Sequence, residues 1–208
     1  MYLFTRRTRI TSADALEWAT EIAGAASKVS GHDIDLWGTV YSAAYGTISW
    51  TAWFEDLPSL EAFGDKIAAD PGYQSLAQQG TALTNGMLDD GLLQLVAGEP
   101  QLDLDLQYVT GVAAVCAGGH AEQAMTAGVQ IAEKATALTG SSTLFMRGVT
   151  GPYGSVGWIT GHADIASIER AESAMAADPT WLSLVDSTGD MFVEDPLITQ
   201  STMYRKLA

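Results

Sequence analysis

Ala68-Ala69-Asp70-Pro71 returns as Ala176-Ala177-Asp178-Pro179, 108 residues later. At the same spacing Tyr45-Gly46 returns as Tyr153-Gly154, Trp50 as Trp158, Asp56 as Asp164 and Ser75-Leu76 as Ser183-Leu184. A period this long is no solenoid; it describes a duplicated small domain. The expected organisation is one repeat over residues 1–97, a linker over 98–105 that includes Gly98-Glu99-Pro100, and a second repeat over 106–208.

Within the first repeat, Tyr2 to Ile10 is rich in aromatic and β-branched residues and reads as a strand. Ser12 is placed to cap a helix whose Leu16, Ala19, Ile22, Ala23 and Ala26 recur at helical spacing, with Gly31 as its stop. Ile34–Ala43 and Thr47–Phe54 read as two strands joined through a Tyr45-Gly46 turn. Asp56-Leu57-Pro58 starts a second helix with Leu60, Phe63 and Ile67 on its apolar stripe, continued after Asp70-Pro71-Gly72 by Tyr73 to Gln79. Leu92 to Val96 closes the unit as a strand, and the second repeat follows the same order. The order β-α-β-β-α-β, twice, is the ferredoxin-like unit. Ile48, Trp50, Ala52 and Phe54 make one face of the third strand apolar, and Trp53 adds to the other. A strand apolar on both faces is covered on both. The fold class is therefore α+β, with tandem ferredoxin-like repeats packing sheet to sheet.

The 208-residue chain carries 25 acidic and 10 basic residues, a formal net charge of −15. Such a surface repels phosphate backbones and anionic lipid, which argues against nucleic-acid and membrane partners. Its one cysteine, Cys116, forms no intrachain disulfide and lies in an apolar run that reads as core. No signal peptide or bilayer-length apolar run is apparent, so a cytoplasmic location is the expectation. The three histidines lack the HxH or HExxH spacing of a metal site, and no phosphate-cradling glycine loop or dinucleotide fingerprint occurs; neither metal nor cofactor is expected.

The segment Ala69-Asp70-Pro71-Gly72-Tyr73-Gln74, following the Leu60/Phe63/Ile67 helix, resembles the second-helix ending of the dimeric α/β-barrel superfamily, in its antibiotic-biosynthesis-monooxygenase-like and NIPSNAP-like branches. The element order extends this resemblance over nearly the whole chain. It implies a barrel made by two units, here fused in one chain. It further implies a cofactor-independent monooxygenase or isomerase acting on an aromatic or polyketide-like substrate. A non-catalytic ligand-binding or assembly protein is one alternative. A haem protein of the chlorite dismutase-like type is another, although the second helices lack the histidine that such relatives use, leaving His120 as a stray candidate. The expected partner is a small apolar or aromatic molecule, with homo-oligomerisation left open.

The repeats differ where chemistry would sit. At a uniform spacing of 108, His162 replaces Phe54 and Arg147 replaces Thr39. His162 is a candidate base and Arg147 a candidate clamp for a carboxylate or enolate, expected on one face of a hairpin. Trp158, Tyr153, Trp50 and Phe54 are candidate ligand-binding residues. The plainer alternative places His162 at a solvent-exposed strand end and pairs Arg147 with an acid. Arg6, Arg7 and Arg9 are read as strand-end partners of acidic neighbours.

Overall fold

The computed structural model describes every residue except Ala43, Tyr45, Gly86, Pro196 and Leu197. The chain runs β1 (Tyr2–Arg9), α1 (Asp14–Ser30), β2 (Asp35–Val40), β3 (Thr47–Phe54), α2 (Leu57–Ala69), α3 (Pro71–Leu83), β4 (Asp89–Ala97), β5 (Tyr108–Val115), α4 (Ala121–Thr139), β6 (Thr143–Gly148), β7 (Ser155–His162), α5 (Ile165–Ala177), α6 (Pro179–Asp186) and β8 (Gln200–Lys206). The hydrogen-bonded strand order β1-β3-β2-β8-β5-β7-β6-β4 forms a closed barrel. This is the expected α+β tandem of ferredoxin-like repeats. By internal packing the chain divides into Met1–Leu92 with Arg205–Ala208, and Leu93–Tyr204. Among the described residues no helix is long and apolar enough to cross a membrane.

In the first unit β3 lies between β1 and β2, antiparallel to both, with Trp50 opposite Arg6 and Leu36. Alternation sends Ile48, Trp50, Ala52 and Phe54 to one face, and all four are buried. Trp50 donates its indole N–H to the carbonyl of Ala19 at 2.9 Å, which places that face against α1. Asp56 and Asp70 each accept the backbone N–H three residues on, capping α2 and α3, with proline in the first turn of both. The expected Ser12 cap is not made. Ser12 and Ala13 form a tight turn ahead of the helix, and Ala13 occupies the cap position without a side-chain bond. β2 stops at Val40, short of the expected Ala43, because the Thr39 hydroxyl turns back onto the carbonyls of Ala44 and Thr47. Ala43 and Tyr45 of the expected turn lie outside the described residues. Two of the three arginines of β1 pair as expected: Arg6 grips Asp90 through two 2.7 Å bonds, and Arg7 meets Asp89.

The second unit repeats this plan. β7 lies between β5 and β6, with Trp158 opposite Val112 and Phe145. Trp158 donates to the carbonyl of Gly128 at 2.9 Å, as Trp50 does to Ala19. Asp164 and Asp178 cap α5 and α6. The Asp178 carboxyl falls to about 2, chiefly through bonds from Thr180 and the Trp181 N–H, with Lys134 adding a favourable charge. α1 and α4 end alike, each on a left-handed glycine, Gly31 or Gly140. Cys116 bridges Phe192, and burial pushes its thiol up, in keeping with a packing role.

Candidate functional site

The shared geometry of the units gives a residue-by-residue correspondence that uniform spacing does not. The strand registers equate Tyr2 with Tyr108, Phe4 with Thr110 and Arg6 with Val112. They equate Leu36 with Phe145 and Gly38 with Arg147. The counterpart of Arg147 is thus Gly38 rather than Thr39, because the hairpin connection of the second unit is one residue shorter. The indole bonds equate Ala19 with Gly128. The aspartate caps equate Phe63 with Ala171 and Tyr73 with Trp181. The residues following the left-handed glycines equate His32 with Ser141.

In the first unit this correspondence picks out one apolar cluster. Ala26, Ala52, Phe54, Phe63 and Ile67 are buried, with Phe4, Val29, Ile34, Leu60 and Tyr73 packed on them. Three rings meet there. The His32 ring lies 4.9 Å from Phe54 and 5.7 Å from Phe63, and Phe54 lies 5.2 Å from Phe63.

In the second unit the same layer is polar. Phe4, Ala52, Phe54 and Ile34 become Thr110, Thr160, His162 and Thr143. Thr143, Thr160 and Thr110 form one row across β6, β7 and β5, since each pair is directly opposed. Thr160 and His162 lie on the same side of β7 as Trp158, whose bond to α4 identifies it as the helix-covered side. The hydroxyls of Thr143 and Thr160 are 2.9 Å apart, and that of Thr110 is 3.0 Å from Nε2 of His162. His162 is 3% exposed and its Nδ1 has no hydrogen-bond partner among the described residues. Burial lowers its pKa, so the ring is neutral at pH 7. When Nε2–H donates to Thr110, Nδ1 carries a free lone pair.

Exposure differs from the twin in both directions: Thr143 is buried where its counterpart Ile34 is half-buried. Thr160 keeps partial solvent access where its counterpart Ala52 is 3% exposed. Val112, next along β5 from Thr110 on the same face, is exposed, where its counterpart Arg6 is tied to Asp90.

The remaining sequence candidates do not join His162. Arg147 pairs with Val156, six positions before His162 on β7, so the two stand roughly 20 Å apart at about 3.3 Å per residue. Its guanidinium Nε donates to Gln94 at 2.7 Å rather than to an acid. The shared parity is real, but the register sends the pair to opposite ends of the strands. Tyr153 is fully exposed in the turn between β6 and β7. Trp158 stacks on Phe145 at 5.3 Å and Trp50 meets Trp18 edge-on at 5.5 Å, each committed to holding a helix on its sheet. Phe54 belongs to the filled layer of the first unit. His120 bonds Gln123 through Nδ1 at the start of α4. No group of three metal-ligating side chains occurs among the described residues.

A proposed monooxygenase from Fusobacterium nucleatum matches 100% of this chain and 92% of its own, with a TM-score of 0.71 at 9% identity. One from Lactobacillus acidophilus matches 100% and 94%, with a TM-score of 0.65 at 11% identity. An anthrone oxidase-like protein matches 99% and 90%, with a TM-score of 0.66 at 10% identity. The fold is that of the dimeric α/β-barrel proteins. At such identities the likeness concerns the fold alone. The sequence itself matches no protein-family model and no curated protein. Within this barrel fold, the polar layer around His162 distinguishes one unit from the other.

Proposed function

We propose that this protein binds a flat aromatic small molecule in the helix-covered layer of its second unit and oxidises it as a cofactor-independent monooxygenase, with His162 as general base. The observation that carries the reading is the polar row of this layer, Thr143 on Thr160 and Thr110 on His162, where the first unit has Ile34, Ala52, Phe4 and Phe54; Nδ1 of His162 is unpartnered, as is Nδ1 of His32 in the first unit. A buried polar atom without a partner costs about 1–3 kcal/mol, and such exceptions call for an explanation. A substrate hydroxyl or an acidic C–H presented to Nδ1 supplies one.

The chemistry asks little of the protein. Nδ1 takes the proton, and the electron pair delocalises over the substrate as an enolate or phenolate. The Thr110, Thr143 and Thr160 hydroxyls lie on the same face and are the proposed donors to that charge. The carbanion then reduces oxygen. For anthrone, chosen because of the anthrone oxidase-like structural neighbour, the anion and oxygen give a hydroperoxide. Loss of water from that hydroperoxide leaves the quinone, so one oxygen atom enters the product and the other leaves as water.

The distance of Arg147 from His162 favours a second reading, a binding protein without turnover, since the expected enolate clamp is not at the base. Oxygen uptake and quinone absorbance with anthrone separate the two. The enzyme reading expects turnover that falls about 10²–10⁴-fold in H162Q, the usual contribution of a general base. Binding of anthrone without oxygen uptake supports the second reading. Equal turnover by wild type and H162Q refutes the role of His162. The haem alternative is checked on the same sample by titrating haem and watching for a Soret band.

A further inference from the structure

Among the described residues the ring of His162 has one hydrogen-bond partner, the Thr110 hydroxyl, 3.0 Å from Nε2. Tyr108 opposes His162 directly across the β5–β7 pair, and Thr110, two residues along β5, is its diagonal neighbour on the same face. The first unit has Phe4 and Phe54 at these two positions, so neither end of the bond exists there. A neutral imidazole carries one N–H, and the two ways of placing it are not equal here. With the proton on Nδ1, the Thr110 hydroxyl donates to Nε2, and a buried N–H is left without an acceptor. With the proton on Nε2, that N–H donates to the Thr110 oxygen. What is left over is an acceptor lone pair on Nδ1, and the hydroxyl of half-buried Thr110 turns its own hydrogen away from the ring. In the protein backbone an orphaned buried N–H is the rarer of these two defects. No charged side chain acts on the ring to reverse the choice; burial is what lowers its pKa.

We propose that Thr110 is the positioning residue of His162: its oxygen accepts Nε2–H, which fixes the ring in that tautomer and makes Nδ1 the basic atom. The assignment stands on the ring and the hydroxyl alone; its use in turnover rests on the reading of His162 as general base. A base that takes a proton at Nδ1 becomes an imidazolium. Its Nε2–H bond to Thr110 is then charge-assisted and roughly twice as strong as the neutral one. Thr110 thus favours the protonated ring that the first step of the reaction produces, besides holding its orientation.

The test reads ring proton–nitrogen correlation spectra of the isotope-labelled full chain, with H162Q identifying the His162 signals. At neutral pH the wild-type spectrum shows hydrogen on Nε2 and none on Nδ1. T110V keeps the branched shape and removes the hydroxyl. It shifts the protonation of His162 to lower pH, because the cation loses its acceptor, and it leaves the titration of His32 in the first unit unmoved. T110S restores the wild-type titration, which a packing role for the threonine does not predict. In the anthrone assay T110V loses about tenfold in turnover and moves the acid limb of the pH–rate profile to lower pH, and T110S recovers both. Hydrogen on Nδ1 in wild type, or a T110V titration that matches wild type, overturns the assignment. Turnover in T110V equal to wild type overturns its role in the reaction. The expected tautomer and titration shift in a protein that does not turn over anthrone support the assignment, and the monooxygenase reading alone falls.

Discussion

Gly128→Ala is the sharpest test of the correspondence between the two units. Gly128 sits on α4 and gives its carbonyl to Trp158. A Cβ built there falls inside van der Waals contact of the Phe145 ring, at Cζ and both Cε atoms. Phe145 is 0% exposed and stacked on Trp158, so it has nowhere to retreat. In the first unit the same pair is Ala19 and Leu36: the small residue has grown by a methyl and the large one has shrunk. Adding a methyl to a packed site costs about 1–3 kcal/mol, and the rigid ring argues for the upper half of that range. Replacing a helix-interior glycine by alanine returns about 1 kcal/mol. G128A should therefore lose about 1–2 kcal/mol in urea unfolding followed by tryptophan fluorescence. In an F145L background, which recreates the Ala–Leu pair, the same change should gain up to about 1 kcal/mol. The double-mutant cycle then shows a coupling of about 2–3 kcal/mol. Equal effects of G128A in both backgrounds, or a net gain in the wild-type background, would refute the packing argument.

Further expectations concern His162 and the tryptophan bonds. The folded histidine protonates at lower pH than the free one, whose value is about 6.5. The unfolded chain therefore binds more protons in the window below 6.5. Stability from this group is complete above that pH and is lost as pH falls toward the folded value. H162F, which installs the residue of the first unit, should flatten that part of the pH–stability curve below about 6.5; an unchanged slope would assign the shift elsewhere. H162F should also match or exceed wild-type stability by about 1 kcal/mol, because it removes the unpartnered Nδ1, while anthrone turnover is lost. Turnover in wild type should rise along an acid limb centred below 6.5, visible in a pH–rate profile. W158F removes the donor to the Gly128 carbonyl and part of the stack on Phe145, for a loss of about 1–2 kcal/mol in thermal or urea unfolding. W50F should lose a similar amount through Ala19.

The duplication was legible because the shared signals are local. A proline in the first turn of a helix, an aspartate cap and a glycine stop read the same wherever they stand, and Asp70-Pro71 and Asp178-Pro179 both do what their sequence says. The alternation of Ile48, Trp50, Ala52 and Phe54 likewise identified a buried face. The exchange of Phe54 for His162 was legible too, because it falls in a stretch where the two repeats stay in step. The rest was hidden by small insertions. One residue is lost in the β6–β7 connection relative to β2–β3, which moved Arg147 from the Gly38 position to an apparent match with Thr39. The first strands are also out of step by two, so the exchange of Phe4 for Thr110 had no visible partner in the sequence. Hydrogen-bond register corrects both, because pairing across a sheet ignores loop length. Phe63 against Ala171 could have been found from sequence, by comparing buried helix positions rather than strand residues alone.

The asymmetry matters because each unit serves as the control for the other. Both have the same elements, the same aspartate caps and the same indole bond from sheet to helix. Where a change serves packing alone, the partner changes in compensation, as Leu36 with Ala19 becomes Phe145 with Gly128. The layer around His162 does not follow that pattern. Phe54 becomes a histidine and Phe4, Ile34 and Ala52 become threonines, so the strand exchanges move together toward more hydrogen-bonding capacity, while on the helices Phe63 shrinks to Ala171 and Tyr73 grows to Trp181. An apolar core gains nothing from such a set, because each buried polar group must find a partner to avoid lowering stability. A bound small molecule, as proposed, would give these polar groups a role that packing alone does not.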